Sequence, residues 1–234
     1  MNYFAHALPF LDRPYFVVGT AVPDWLSVID RKMRVRSRAA QTLVGDEDPR
    51  VAAVAEGIIR HHEDDRWFHQ TRAFAELSLD FSVAVRQVLP QDHGFRPSFL
   101  GHILVEILLD ATLIADAPAR LEAYYEALRS VDPQLVGRVV NRLATRSSDI
   151  WSAFLSRFCA EPFLYDYLED AKLLARLNHV MRRVQLPMLP GEFLTILPAA
   201  RLAVGRRRAE LLTPSCIEKQ ESVTRDTERR PPDL

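Results

Sequence analysis

The chain has 234 residues, 48% of them hydrophobic, and its 30 basic and 31 acidic residues leave a net charge of −1. A balance this even gives no electrostatic reason to expect duplex nucleic acid or an anionic membrane as the main partner. The two cysteines, Cys159 and Cys216, are far apart in the sequence, so a reducing compartment fits. With no secretory signal and no long uncharged apolar run, we expect a cytoplasmic protein without a transmembrane segment.

Apolar residues recur at helical spacing and glycines are few, which predicts an all-α fold: a compact, single-domain multi-helix bundle over residues 1–212. Residues 1–20 are ambiguous, and the stretch 15–19 within them is either extended or the start of a helix. A proline followed by an acid predicts a helix start at Pro23, and the same logic at Pro49 predicts a helix to about residue 72.

The remaining predicted elements follow in chain order. After a helix over 74–89 and a loop at 90–94, Pro97 opens a strongly apolar helix. Four further amphipathic helices are predicted, over 118–130, 132–158, 163–184 and 191–211. The polar, charged and proline-bearing stretch 213–234 predicts a disordered tail.

The helix after Pro97 is almost entirely apolar, yet it carries His102, Glu106 and Asp110 at a four-residue step. These residues lie along one stripe, one turn apart. A helix that is apolar around the rest of its circumference is expected to be buried, and buried carboxylates without a counter-charge are costly. A metal ion is the economical counter-charge. A plain buried hydrogen bond between His102 and Glu106 is the alternative.

A second stripe repeats the step in the helix that begins near Pro49, with His61, Asp65 and His69. The intervening residues 62–64 are interpreted as solvent-facing, and a stretch this charged is also typical of a solvated helix face. About one His-x3-acid pair is expected by chance in such a composition. The argument therefore depends on the apolar setting of the other pair and on the packing of the two helices.

Imidazole nitrogen and carboxylate oxygen are ligands for zinc and manganese, and a histidine and an acid four apart on a helix reach the same point. Each pair is predicted to hold one ion, and two such ions would lie about 3.5–4 Å apart. Asp24 is the candidate bridging carboxylate, with a first-turn helix acid as the alternative, and His6 is a further candidate. The predicted ligands are His6, Asp24, His61, Asp65, His69, His102 and Glu106.

Two of the stripe residues raise a geometric difficulty. Eight residues of helix rise about 12 Å, so His69 cannot share an ion with His61 unless the helix breaks. His69 is left with three roles: ligand to a second ion, contact with substrate, or support of a ligand. Asp110 has the same difficulty relative to His102, and it is interpreted mainly as an acid that orients the ligands. Asp65 or Asp110 is the candidate catalytic acceptor of a proton from water.

Three segments resemble the acyl carrier protein phosphodiesterase family: Met1-Asn2-Tyr3-Phe4-Ala5-His6, Gly19-x4-Asp24 and Gly57-Ile58-x2-His61-x3-Asp65. The order of the candidate ligands is also similar to that in zinc-dependent phospholipase C and the related single-strand nucleases. In those proteins an early His is followed by an Asp after Pro, His-x3-Asp, a further His and Gly-His-x3-Glu. Glu106 fits this second arrangement better than the first.

The resemblance covers about residues 1–113. It implies a compact helical phosphodiesterase or phospholipase C-like hydrolase with two or three zinc or manganese ions held by the seven ligands. Members of the first family remove a phosphopantetheine arm. The implied substrate is therefore a phosphoester small molecule, a lipid or a phosphopantetheinyl protein.

Two other functions are weighed against this hypothesis. One is a non-catalytic all-α binding module with a structural or degenerate metal site, motivated by the amphipathic second half and the lack of a substrate-recognition motif. The other is a di-iron bundle, which would want two Glu-x-x-His motifs, and none is present. His179 is interpreted as an ordinary histidine, and Arg182 and Arg183 as a solvated basic face more than a site that steers an anionic substrate.

Overall fold

A computed structural model describes residues 1–89 and 94–214. Within these ranges the chain forms no β-strand, which confirms the all-α prediction. The α-helices of the described ranges are α1 (Tyr3–Ala7), α2 (Pro14–Ile29), α3 (Ser37–Ala40), α4 (Pro49–Phe68), α5 (Arg72–Val88), α6 (Pro97–Asp116), α7 (Pro118–Arg129), α8 (Pro133–Leu143), α9 (Trp151–Ala160), α10 (Asp170–Arg183) and α11 (Leu197–Leu211). Most of the predicted loop at 90–94, and the predicted tail from residue 215 on, lie outside the described residues.

The predicted helix start at Pro23 is wrong, because α2 begins at Pro14 and Pro23 lies inside it. The ambiguous residues 15–19 are therefore helical. An internal proline removes one backbone hydrogen bond and costs roughly 3 kcal/mol. Burial of a long apolar stretch of α2, including Trp25 and Leu26, offsets that cost.

The helix predicted to reach residue 72 ends at Phe68, and α5 begins at Arg72. The Thr71 hydroxyl accepts a hydrogen bond from the amide of Phe74 at 3.2 Å, which caps α5. Sequence periodicity runs through this joint, but the cap separates the two helices. His69 thereby falls just beyond the end of α4.

The single helix predicted over 132–158 is also wrong, because the chain forms α8 and α9 with a turn between them. The Asn141 side chain accepts from the amide of Ser148 and donates to its carbonyl, both at 3.0 Å. The indole of Trp151 donates to the same Asn141 oxygen at 3.0 Å. These hydrogen bonds hold the turn, and the hydrophobic periodicity of the sequence does not reveal them.

Three further elements differ from the predictions. The segments predicted to start at 163 and 191 begin with 3₁₀ turns, Phe163–Leu168 and Gly191–Ile196, before α10 and α11. The amide of Leu164 donates to the Tyr125 hydroxyl at 3.1 Å, so a contact with α7 holds the first of these turns. Helix α3 was not predicted.

Glycines bring together the helices that carry the candidate site. A Cβ at Gly19 would overlap the Val54 carbonyl oxygen, and one at Gly57 would overlap the Phe16 carbonyl oxygen. The backbones of α2 and α4 therefore touch, which larger residues would prevent. A Cβ at Gly101 would likewise overlap the Ser78 carbonyl oxygen, so α6 lies equally close to α5.

Helix α6 is the one described helix that is long and apolar enough to cross a membrane by length and composition. In the structure, 61% of its most apolar window is buried inside the protein, as in a core helix. No firm transmembrane segment is indicated.

Candidate metal centre

The first group of candidate ligands joins α1 to α4. His6, His61 and Asp65 each offer one ligand atom, and these atoms lie within 4.8 Å of one another. Nε2 of His6 and Nε2 of His61 lie 3.3 Å from the two Asp65 oxygens, one nitrogen to each. The two imidazole rings stack with their centroids 4.2 Å apart. The predicted His61–Asp65 pair is therefore completed by His6.

Hydrogen bonds at Nδ1 direct both imidazoles of this group. Nδ1 of His61 donates to the Thr20 carbonyl oxygen at 2.8 Å, and Nδ1 of His6 lies 3.2 Å from Asp64. With the proton on Nδ1, each Nε2 presents a lone pair. Nε2 of His6 is buried and has no hydrogen-bond partner among the described residues. An unpartnered buried nitrogen beside a carboxylate and a second imidazole fits a divalent cation.

The interpretation of Asp64 as solvent-facing is wrong. Its side chain is buried, and besides His6 it binds Arg60 at 2.8 Å and the indole of Trp67 at 3.1 Å. His62 is half-buried and hydrogen-bonded to the Val35 carbonyl at 3.0 Å, so it is not solvent-facing either. Helix α1 covers a part of α4 that the charge pattern of residues 62–64 does not reveal.

The second group joins the end of α4 to α6. Ligand atoms of His69, His102 and Glu106 lie within 4.8 Å of one another. Oε1 of Glu106 is 3.0 Å from Nε2 of His69 and 3.3 Å from Nε2 of His102. His69 therefore lies with His102 and Glu106 and not with His61 and Asp65, and its role as ligand to a second ion stays a prediction.

Burial along the α6 stripe is graded, contrary to the expectation of a stripe buried throughout. The His102 side chain is 42% exposed and that of Glu106 is 17% exposed, whereas Asp110 is fully buried. The stripe therefore runs from the core at Asp110 to solvent at His102, so the second group is accessible to solvent.

Asp24 is placed to interact with both groups. It lies on α2 and, with Glu106, lines one cavity. Burial raises the pKa of Asp24; His61 and His6 act to lower it, while Asp65 and Glu106 raise it further. Asp24 belongs to neither group, so its bridging role stays a prediction.

The two ligand carboxylates are held ionised. Burial opposes ionisation of Asp65, but the neighbouring His6 and His61 imidazoles and the Met1 amino group outweigh it and lower its pKa well below the usual range. The pKa of Glu106 is also lowered, because the charge of the Met1 amino group outweighs burial. That amino group lies 2.7 Å from Asp65 and 3.3 Å from Glu106. The positive charge of the Met1 amino group thus lies between one carboxylate of each group.

Asp110 does not contact either group. Its Oδ1 accepts from the amide of Ala5 at 2.8 Å and its Oδ2 from the amide of Phe4 at 3.0 Å. In the described part of the chain these are its hydrogen bonds, and they hold the α1 backbone next to His6. The prediction of Asp110 as a catalytic proton acceptor is not supported by this placement, whereas an orienting role is. Burial raises its pKa to about 7.

All seven predicted ligands surround one end of the bundle, six in the two groups and Asp24 on the cavity beside them. Each group supplies two imidazoles and one carboxylate, a donor set that zinc and manganese accept. Sequence reasoning missed the supporting contacts from Thr20 and Asp64. Nothing in the local sequence indicates that the Thr20 carbonyl will accept a hydrogen bond from a histidine. Asp64, in contrast, is an acid next to the predicted ligand Asp65, so the argument applied to the other acids could have included it.

Comparison with known proteins identifies no relative: the chain matches no protein-family model, no curated protein and no solved structure.

Proposed function

We propose that the protein is a metal-dependent phosphoesterase, a phosphodiesterase or phospholipase C-like hydrolase. The observation that carries the proposal is the pair of His₂–carboxylate groups, His6–His61–Asp65 and His69–His102–Glu106, at one end of the bundle. The resemblance of residues 1–113 to two families of metal-dependent phosphodiesterases points the same way. The two groups account for two divalent cations, and the expected metal is zinc or manganese.

The chemistry follows from the residues around each ligand. Two bound cations would supply Lewis acidity, which lowers the pKa of water and neutralises charge on a phosphoryl group. Thr20 and Asp64 fix the imidazoles of the first group in the tautomer that leaves Nε2 free. Asp65 is the more exposed ligand carboxylate, at 30% against 17% for Glu106, so it is the one that water reaches most readily to transfer a proton.

The test combines metal analysis with hydrolysis of a generic aryl phosphodiester, bis(para-nitrophenyl) phosphate. Protein purified without chelator is analysed for zinc and manganese, then assayed alongside His61→Ala, His102→Ala and Asp24→Ala. Glu63→Gln is the matched control, because Glu63 is an exposed acid on α4 outside both groups. We expect about two equivalents of metal in the wild type and the control.

Each alanine variant should lose metal and hydrolysis together, while Glu63→Gln keeps both. A wild-type protein that binds less than about one equivalent of either metal contradicts the proposal. Full metal content without hydrolysis of any phosphoester would favour the alternative, a binding module with a structural metal site.

A further inference from the structure

A cavity of about 520 Å³ opens beside the two ligand groups; Glu106 of the second group lines it, and so does Asp24. This volume lies within the usual range for small-molecule sites, about 300–1,000 Å³. The cavity extends away from the ligands, between α6, α9, α10 and the 3₁₀ turn Phe163–Leu168. A substrate held at the metal centre would therefore project its non-reacting part into this space.

The walls of the cavity are mainly apolar and aromatic. Ile103 and Ile107 of α6 line the cavity one helical turn apart, and each directly follows a candidate ligand, His102 or Glu106, in the sequence. The opposite side is an aromatic cluster in which the Tyr3 ring meets Phe158 edge-on at 5.4 Å and Phe163 at 6.1 Å. Such walls favour an aliphatic or aromatic group over a sugar or another strongly polar one.

The charged residues of the cavity leave one arginine without a carboxylate. Arg176 is paired with Asp166 at 2.6 Å, and Arg157 with Glu161 at 3.2 Å. Arg183 also lines the cavity and has no ion-pair partner among the residues that the structure describes.

Arg183 lies on a face of α10 that is directed at the cavity. The lining residues of α10 are Arg176, His179, Val180 and Arg183, spaced three and four apart. His179 and Arg183 are both exposed, so they stand at the open side. Tyr3, Asp24 and Arg183 all line this cavity, so it connects the ligand end with the basic end.

We infer that this cavity binds the non-reacting part of the substrate, and that this part is an apolar group ending in a second anion held by Arg183. The inference rests on the proposed function, because it assigns the cavity to the substrate of the same metal centre. The substrate class is thus a phosphoester of an amphipathic molecule with a distal carboxylate or phosphate. Arg183, interpreted from the sequence as part of a solvated basic face, becomes a determinant of specificity.

The probes are non-hydrolysable phosphonates, so binding is measured without turnover. Methylphosphonate, hexylphosphonate and two hexyl analogues with a terminal carboxylate or a terminal phosphonate are titrated calorimetrically into the metal-loaded full-length protein. Hexylphosphonate should bind more than tenfold tighter than methylphosphonate, because its chain is buried on the apolar walls. A terminal anion should tighten binding about threefold to tenfold more. The two anionic arms distinguish a carboxylate from a phosphate.

The decisive variant is Arg183→Met, which keeps an apolar stem and removes the charge. Its control is Arg182→Met, since Arg182 is an exposed neighbour that does not line the cavity. Arg183→Met should abolish the gain from the terminal anion and leave the affinity for hexylphosphonate within about twofold. Arg182→Met should retain the gain.

Three results would overturn the inference: equal affinity for the anionic and plain hexyl probes, equal weakening of all probes by Arg183→Met, or no binding of any probe. These results are independent of the hydrolysis assay. A protein that hydrolyses aryl phosphodiesters but ignores the terminal anion retains its proposed function and loses this inference. A protein that prefers the anionic probes through Arg183 but hydrolyses no phosphoester retains this inference and loses its proposed function.

Discussion

Asp64 lies 3.2 Å from Nδ1 of His6, although 58 positions separate them in the sequence. The contact fixes which His6 nitrogen is protonated and turns the other toward His61 and Asp65. Carboxylates that support a histidine in this way typically change metal affinity by a factor of about 10–100. Asp64 is therefore a positioning residue for the first ligand group.

We expect Asp64→Ala to weaken zinc binding about tenfold or more, measured by competition with a chromogenic chelator. Asp64→Asn keeps an oxygen acceptor for Nδ1–H and should recover part of the loss. The exposed neighbour provides the control, since Glu63→Gln should bind zinc as the wild type does. Affinity within twofold of wild type for Asp64→Ala would show that the contact does not support a ligand.

Removal of metal should lower thermal stability, because an ion that binds only the folded state stabilises it by mass action. At a free metal concentration of 100 times Kd, one site contributes about 2.7 kcal/mol. For a chain of this size that corresponds to about 5–10 °C in Tm. Calorimetric scans with and without a chelator measure the shift. The double variant His61→Ala/His102→Ala should show no response to the chelator, and a wild-type Tm equally indifferent to it would contradict metal binding.

Gly57→Ala should destabilise the fold and weaken metal binding together. The added Cβ would overlap the Phe16 carbonyl and press against Gly19, so α2 and α4 must separate. Overpacking of this kind costs roughly 1–3 kcal/mol. The same separation would stretch the bond from His61 to the Thr20 carbonyl.

The matched control for that change is Gly205→Ala in α11, where a Cβ meets nothing within 4 Å. This helical substitution should stabilise the protein by about 0.5–1 kcal/mol. Urea unfolding measures both free energies. A Gly57→Ala variant as stable as the wild type would mean that the two helices are not in backbone contact.

Because of the titration of Asp110, the free energy of unfolding of the metal-free protein should fall as the pH rises from about 4 to 7. Burial raises its folded-state pKa to about 7, against about 3.9 for an unfolded aspartate. Between these values the folded state holds a proton that the unfolded state has released, so the contribution to stability is present at low pH and lost as the pH rises. The expected loss is roughly 2–4 kcal/mol.

Unfolding free energies of chelator-treated wild type and Asp110→Asn, measured from pH 4.5 to 8, test this expectation. An asparagine does not titrate in this range. Its NH₂ group replaces one of the two Asp110 oxygens that accept hydrogen bonds from backbone amides. The variant should be less stable at low pH, and its disadvantage should shrink as the pH rises. Parallel profiles would show that Asp110 stays ionised throughout.

The helical character and most of the candidate ligand set follow from the sequence because both depend on local spacing. The four-residue steps from His61 to Asp65 and from His102 to Glu106 survive in the structure as contacts of 3.3 Å. The rise per residue also separates His69 from His61 correctly. These arguments need no knowledge of how the helices are arranged.

What the sequence does not reveal depends on contacts between distant segments. The joint between α4 and α5 is fixed by one hydroxyl, that of Thr71, and the division of α8 from α9 by the Asn141 amide. Asp64 is buried because α1 packs on α4, an event that no pattern within residues 61–69 records. The role proposed for Arg183 likewise depends on its position in the cavity and on its having no ion-pair partner among the described residues, neither of which the sequence reveals.

Helix α1 has five residues, too few for a helix to persist in water without external support. That support comes from Asp110 of α6, which supplies no ligand to the first group. We therefore expect His6 to take its place once α6 has docked, and any cation binding at that group to follow this step. A folding intermediate that lacks the α1–α6 contact should not bind zinc at this group, even if α4, which carries His61 and Asp65, has already formed.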